Sequence, residues 1–178
     1  QHHKTSITSA LVLIHKQTGI VDILHDQYDF YAYPRLNQSE TQLCWISWQH
    51  FSMPWQASQL HISDLNTLNR TLTIKNSLSA ANTSYSQPVW HQNSIIYLND
   101  GNGFSNLHRY HNGSETPLYE SPKDMGEPLW QLAVSTFHLL YQKNLVIRCQ
   151  DTTQEHLIHL DLTPLKISKL QPPNSHFL

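Results

Sequence analysis

Charge is scarce in this sequence. Lys, Arg, Asp and Glu make up 13% of its 178 residues, and the formal net charge is −2. Lys and Arg are scattered, without the basic run that would track a phosphate backbone, so neither nucleic acid nor anionic membrane is expected as a partner. Long apolar runs are missing too, and no stretch reaches the length that spans a bilayer. Cysteine is limited to Cys44 and Cys149. Each sits in an apolar, strand-like context, and two are too few for a disulfide framework, so buried free thiols are expected. Glycine is limited to Gly19, Gly101, Gly103, Gly113 and Gly126. None of them frames a serine as Gly-x-Ser-x-Gly, and His-Glu-x-x-His is absent, so no catalytic residues are assigned. The thirteen histidines show no zinc spacing. His108 and His111, like His156 and His159, are three apart, which suits a metal only on a helix, and both pairs lie in strand-like segments. No metal and no cofactor are expected. The first residue is Gln, with no charged-then-apolar leader. The chain therefore reads as trimmed, and its compartment stays open.

The densest feature present is the stretch from Trp45 to Trp55, which holds three of the five tryptophans. The segment 42–48 (Gln-Leu-Cys-Trp-Ile-Ser-Trp) predicts a strand. Leu43 and Trp45 fall on one face, and Cys44, Ile46 and Trp48 on the other, so both faces require cover. Met53-Pro54 interrupts pairing, because proline has no N–H to give. A return strand follows over 59–65. Trp48, Met53 and Trp55 then either plug a core or form an aromatic shelf for a ligand.

Almost nothing reads as helical. The apolar run 10–14, the Thr18-Gly19 turn and the run 20–24 form a hairpin. Strands are expected over 28–33, 42–48, 59–65, 70–74, 94–98, 106–110, 116–119, 136–141, 145–149 and 156–162, with 77–86 as a loop and a Pro-rich tail from Gln171. Asn99-Asp100-Gly101-Asn102-Gly103 is a strong turn cluster. Short strands with turns about every ten residues mean an all-β fold. Pro88-Val89-Trp90 and Pro128-Leu129-Trp130 recur at a spacing of about 40, with Pro34-Arg35-Leu36 as a degenerate copy. That period, with both-face burial, favours a partial β-propeller of about three to four four-stranded blades. A β-sandwich with coincidental triplets is the alternative. The expected units are a half blade at 5–27 and blades at 28–80, 84–122 and 126–172. An open stack would leave apolar faces at both ends, so either further blades or self-association through those faces is expected.

The series Asp29-Phe30-Tyr31, Pro34-Arg35 and Trp45-x-x-Trp48-x-His50-x-x-Met53-Pro54-Trp55 resembles the propeller of the prolyl oligopeptidase family of serine peptidases, in its acylaminoacyl- and dipeptidyl-peptidase-like branch. Pro88-x-Trp90, Asn99-Asp100 with Gly103, Asn106-Leu107, Pro117-Leu118 and Pro128-x-Trp130 follow in the same order. The departures are Asn37-Gln-Ser-Glu40 and His91-Gln-Asn93 where relatives turn with Ser-Pro-Asp-Gly, and Phe51 and Phe104 in place of Pro and Trp. The resemblance implies a non-catalytic portion that gates and positions short peptides for a C-terminal α/β-hydrolase domain not contained in these residues. A stand-alone binding module is the alternative. Arg35, His50 and Trp55 are the candidate substrate contacts. Glu120 and Glu127 would join them if they face the channel.

Overall fold

The computed structural model describes residues 8–141, 143–150 and 155–170. The outer edges of two expected units, 5–7 and 171–172, and the Pro-rich tail lie outside the described residues. Among the described residues, fourteen strands make one hairpin and three four-stranded antiparallel sheets. The hairpin is β1 (Leu11–Ile14) with β2 (Val21–His25). Gly19, at φ +70°, closes its loop with an N–H to the His15 carbonyl (2.8 Å). Blade 1 is β3 (Phe30–Leu36), β4 (Gln42–Trp48), β5 (Gln59–Asn66) and β6 (Thr71–Leu78). Blade 2 is β7 (Tyr85–His91), β8 (Ser94–Asn99), β9 (Asn106–His111) and β10 (Ser114–Tyr119). Blade 3 is β11 (Phe137–Leu140), β12 (Asn144–Gln150), β13 (Glu155–Leu162) and β14 (Leu165–Leu170). Each sheet is a meander in which neighbours in sequence are neighbours in space. This is the all-β, partial propeller arrangement.

Face-to-face stacking explains the doubly apolar strands. In β4, Leu43 and Trp45 join Leu11 and Leu65 in one cluster, against the hairpin. Cys44, Ile46 and Trp48 join Tyr85, Ile95 and Tyr97 of blade 2 in another. In β8 the alternate residues Ile96 and Leu98 turn the other way, onto Phe137, Leu145 and Ile147 of blade 3. Burying these side chains supplies the main stabilisation, at about 25 cal/mol per Å² of apolar area removed from water. Both cysteines are buried and neither forms a disulfide, and desolvation drives the Cys44 thiol far above its ordinary range.

Three expectations need correction. First, the Pro-x-Trp triplets are not equivalent. Pro88 lies inside β7, whereas Pro128 lies in the linker before β11. The true repeat is carried by the second strands, which start at Gln42, Ser94 and Asn144, about 50 residues apart. Second, β3 does not stop at Pro34-Arg35. A bulge between Ala32 and Arg35 takes up the proline, with Tyr33 at φ +53°. The same device recurs at Gln87-Pro88, with Gln87 at φ +52°; a bulge is where a central strand can tolerate proline. Third, the loop expected over 77–86 is shorter, because β6 runs to Leu78 and β7 begins at Tyr85.

The inner strands are tied across the stack. The Tyr33 hydroxyl donates to the Val134 carbonyl (2.9 Å), joining blade 1 to the linker of blade 3. Thr136 N–H donates to Gln87 Oε1 (2.7 Å), joining blade 3 to blade 2.

Candidate functional site

In a four-stranded meander, the loop between the second and third strands and the linker to the next blade emerge at the same end. That end carries loops 49–58 and 100–105 and the linkers 79–84 and 120–136. Between them opens a cleft of about 690 Å³. Trp55, Phe104 and Pro128 give it an apolar wall, and Asp100, Asp124, Glu127 and Lys123 give it charge.

Trp55 is placed by a tight turn. Ala57 N–H and Gln56 N–H both donate to the Met53 carbonyl (3.2 and 2.9 Å). The turn is bolted to blade 2: Ser84 Oγ donates to the Pro54 carbonyl (2.9 Å), and Tyr85 N–H donates to Ser58 Oγ (2.8 Å). Trp55 itself is half-buried and meets Trp130, with ring centroids 4.2 Å apart and planes tilted by 43°. Trp130 is 75% exposed. Of the core-plug residues considered, only Trp48 behaves as one, stacked on Phe30; Met53 is exposed.

The carboxylates hold the loops. Ser84 N–H donates to Asp100 Oδ1 (2.6 Å), and Ser105 N–H donates to Asp124 Oδ1 (2.8 Å). Burial raises the Asp100 carboxyl above its usual value, and the negative charge of Asp124 adds to the rise. Glu127 pairs with Arg148, which also contacts Glu155 (3.1 Å). Gly126 lies against this wall because a Cβ there would stand 2.4 Å from Ser105 Oγ and 3.1 Å from Leu98 Cδ1.

The three expected contacts are not brought together. His50 and Trp55 share loop 49–58, but His50 is exposed outside the cleft, with its N–H on Asp29 Oδ2 (2.7 Å) and its ring against Phe51 (4.5 Å). Arg35 lies toward the opposite end of β3, exposed, with its guanidinium 6.0 Å from the Tyr33 ring centroid and its carbonyl accepting from Trp90 Nε1 (2.9 Å). Glu120 accepts from Asn102 Nδ2 (3.3 Å) and is not part of the cleft wall. Sequence reasoning did not single out Asp124 or the Trp55–Trp130 pair. The turn cluster at 99–103 was the only local sign that a carboxylate would be held here.

Among the described residues no group of three His, Cys, Asp or Glu converges as metal ligands would. Both histidine pairs lie on strands β9 and β13.

No protein-family model matches the chain, and no curated protein does. Solved structures do match. A puromycin-hydrolyzing peptidase of Mycobacterium tuberculosis superposes with a TM-score of 0.77 at 23% identity, over 88% of this chain and 24% of that one. A puromycin hydrolase gives 0.75 at 24% identity, over 86% and 24%. The β-propeller domain of the Trilobed protease from Pyrococcus furiosus gives 0.57 at 10% identity, over 92% and 49%. The chain thus spans about a quarter of the length of the first two. What is shared at these identities is the fold, and this chain has the architecture of a partial β-propeller of the kind found within those peptidases.

Proposed function

We propose that this chain is the non-catalytic propeller portion of a serine peptidase of the prolyl oligopeptidase family, acting on short peptides in the acylaminoacyl- or dipeptidyl-peptidase manner. The observation that carries the reading is the superposition of three blades and a hairpin on about a quarter of peptidases described as hydrolysing puromycin. The series Asp29-Phe30-Tyr31, Pro34-Arg35 and Trp45-x-x-Trp48-x-His50-x-x-Met53-Pro54-Trp55 supports it from the sequence. No Gly-x-Ser-x-Gly occurs among these residues, so the nucleophile and oxyanion hole would come from an α/β-hydrolase domain elsewhere in the same protein. The contribution of the propeller is steric and positional: blades around a narrow opening admit an extended peptide and turn away a folded protein. Trp55 is the expected contact best placed to meet a peptide, with His50 on the same loop and Arg35 at the far end of the inner strand. Self-association through open blade faces belongs to the same reading, with the hairpin supplying the more apolar one.

The complete reading frame tests this. A Gly-x-Ser-x-Gly segment beyond Leu178 is expected, and a stop shortly after that residue would end the proposal. In the whole enzyme, Trp55→Ala should lower kcat/KM for short peptides by about tenfold, with Arg35→Ala and His50→Ala closer to the parent.

A second reading, a binding module without a hydrolase partner, draws on the turns. Glu40 and Gln92 hold φ of +57° and +53° where glycine is favoured, the kind of cost that relaxed constraint permits. A closed, stable oligomer of this chain in gel filtration would favour it.

A further inference from the structure

Among the described residues β1 and β2 pair only with each other, so no ladder of hydrogen bonds fastens the hairpin to a blade. A lone two-stranded hairpin is marginal in water, and its docking on blade 1 decides whether it stays folded. The docked surface holds Leu11, Leu24, Leu43, Trp45 and Leu65, and beside them two imidazoles share one group of rings. His25, at the end of β2, lies 5.9 Å from Trp45 and 5.5 Å from Tyr28 between centroids. His61, on β5, lies 5.0 Å from Trp45 and 5.1 Å from Tyr28. Both are bonded in ways that suit a neutral ring. His25 Nδ1 meets the Tyr31 hydroxyl (2.8 Å), whose oxygen also accepts the Tyr28 N–H (3.0 Å). A neutral His25 can take the Tyr31 proton; a protonated one has only donors, and that proton loses its acceptor. His61 meets Ser47 Oγ and Ser77 Oγ, both at 2.7 Å. Protonated, it would donate to both, and the Ser47 proton, fully buried, could not turn to water.

Little charge stands ready to compensate. Asp26, next to His25 in sequence, favours protonation there, while burial opposes it more strongly. Burial lowers His61 to about 4, with His25 adding to the fall. Of the packed elements, β3 brings the Tyr31 hydroxyl, β4 the Ser47 hydroxyl and β6 the Ser77 hydroxyl. Asp22 of β2 is paired with Arg70, and Asp64 of β5 with Lys75; Asp64 falls on the face opposite His61 by strand alternation. His15 and Lys16 sit in the hairpin loop, at the other end from His25. The joints further along differ. The pair Trp45↔His61 is matched by Tyr97↔His108 in blade 2 and by Ile147↔Ile158 in blade 3.

We propose that the joint between the hairpin and blade 1 is an acid-operated latch: protonation of His25 and His61 releases β1–β2 and uncovers Leu43, Trp45 and Leu65 while the blades stay folded. The Trp45 face attracts a cation, but it would be shared by two rings of like charge. Released, each imidazole returns to water and to its ordinary pKa near 6.5, so falling pH favours the open form. The latch goes beyond the peptidase reading and stands whether or not a hydrolase domain follows.

Amide hydrogen exchange of the full chain, followed by mass spectrometry from neutral pH to about pH 4 and corrected for the intrinsic rate, tests it. The hairpin is expected to be protected at neutral pH. It should lose that protection with a midpoint about one pH unit or more above the point at which β8 and β12 lose theirs. His25→Gln keeps an acceptor for the Tyr31 hydroxyl and removes the titration, and it should move the hairpin midpoint to lower pH. Combined with His61→Asn it should remove the separate step. Should the double variant fail to fold, His25→Gln, at a half-buried position, carries the test alone. A hairpin unprotected at neutral pH, a hairpin that opens together with or after the blades, or a midpoint unmoved in His25→Gln would overturn the proposal.

Discussion

At the hairpin end of the stack, the outward residues Val12, Ile14, Val21 and Ile23 are all apolar and between 40% and 63% exposed. At the blade 3 end, the outward positions of β12 and β13 are Val146, Arg148, Leu157, His159 and Asp161, cross-paired as Val146↔His159 and Arg148↔Leu157. Buried and outward positions alternate along β12, whereas β8 in the middle blade is buried throughout. A blade face in this fold is therefore not apolar by default. Where a second sheet covers it, both sets of alternate residues are greasy. Where none does, the sequence of blade 3 interleaves charge with leucine, and the hairpin does not. The hairpin is the end whose outward surface calls for cover.

The largest test of that contrast is truncation on a covered face against truncation on an open one. Trp45 is fully buried between the hairpin and blade 1, and Trp45→Ala should cost about 3–5 kcal/mol in denaturant melts. Leu157→Ala, at a position 50% exposed, should cost less than about 1 kcal/mol. Equal losses would break the comparison.

The second test uses a histidine of the covered face. His61 is fully buried, accepts or donates to Ser47 Oγ and Ser77 Oγ at 2.7 Å each, and stacks on Trp45 with centroids 5.0 Å apart. Desolvation lowers its pKa to about 4 from 6.5, with His25 nearby adding to the fall. The unfolded chain then binds this proton first as pH drops. Stability from this group is complete above about pH 6.5 and is lost progressively down to about pH 4, by roughly 3 kcal/mol. Chemical denaturation across that window should show a slope that His61→Asn flattens.

A smaller effect is expected at the hairpin surface. Ile14→Lys with Ile23→Lys should change stability by about 0.5 kcal/mol or less while lowering self-association in sedimentation. A large loss of stability would show that this face is already part of the core. The smallest concerns the turn between β7 and β8: Gln92→Gly should stabilise by only about 0.3 kcal/mol, because Gln92 holds φ +53° and glycine pays no Cβ penalty there, a gain partly offset by the larger entropy glycine loses on folding.

Much of the architecture was legible in side-chain alternation. The opposite facing of Leu43/Trp45 and Cys44/Ile46/Trp48 could be read directly, because period two is dictated by the strand itself. The repeat length was not. Pro128-Leu129-Trp130 mimics Pro88-Val89-Trp90 in letters, but an intervening loop separates it from β11, and letters carry no record of pairing. The proline-bearing bulges in β3 and β7 were also hidden, since proline ordinarily ends a ladder and nothing local announces a residue in the left-handed region ahead of it. β14 was not singled out because it is an edge strand, exposed along its whole length. The site was less legible still. Trp55 stood out by composition, but Asp100 and Asp124 acquire meaning only when three loops converge.

The hydroxyl of Tyr33 resting on the carbonyl of Val134 bridges residues 101 apart in sequence and bypasses the sheet between them. A stack held only by nearest neighbours can lose its units one at a time, like a repeat array fraying from an end. A strut of this kind couples the first unit to the third, so melting at either one is felt at the other. Heat should therefore take the three sheets down in a single transition rather than in steps.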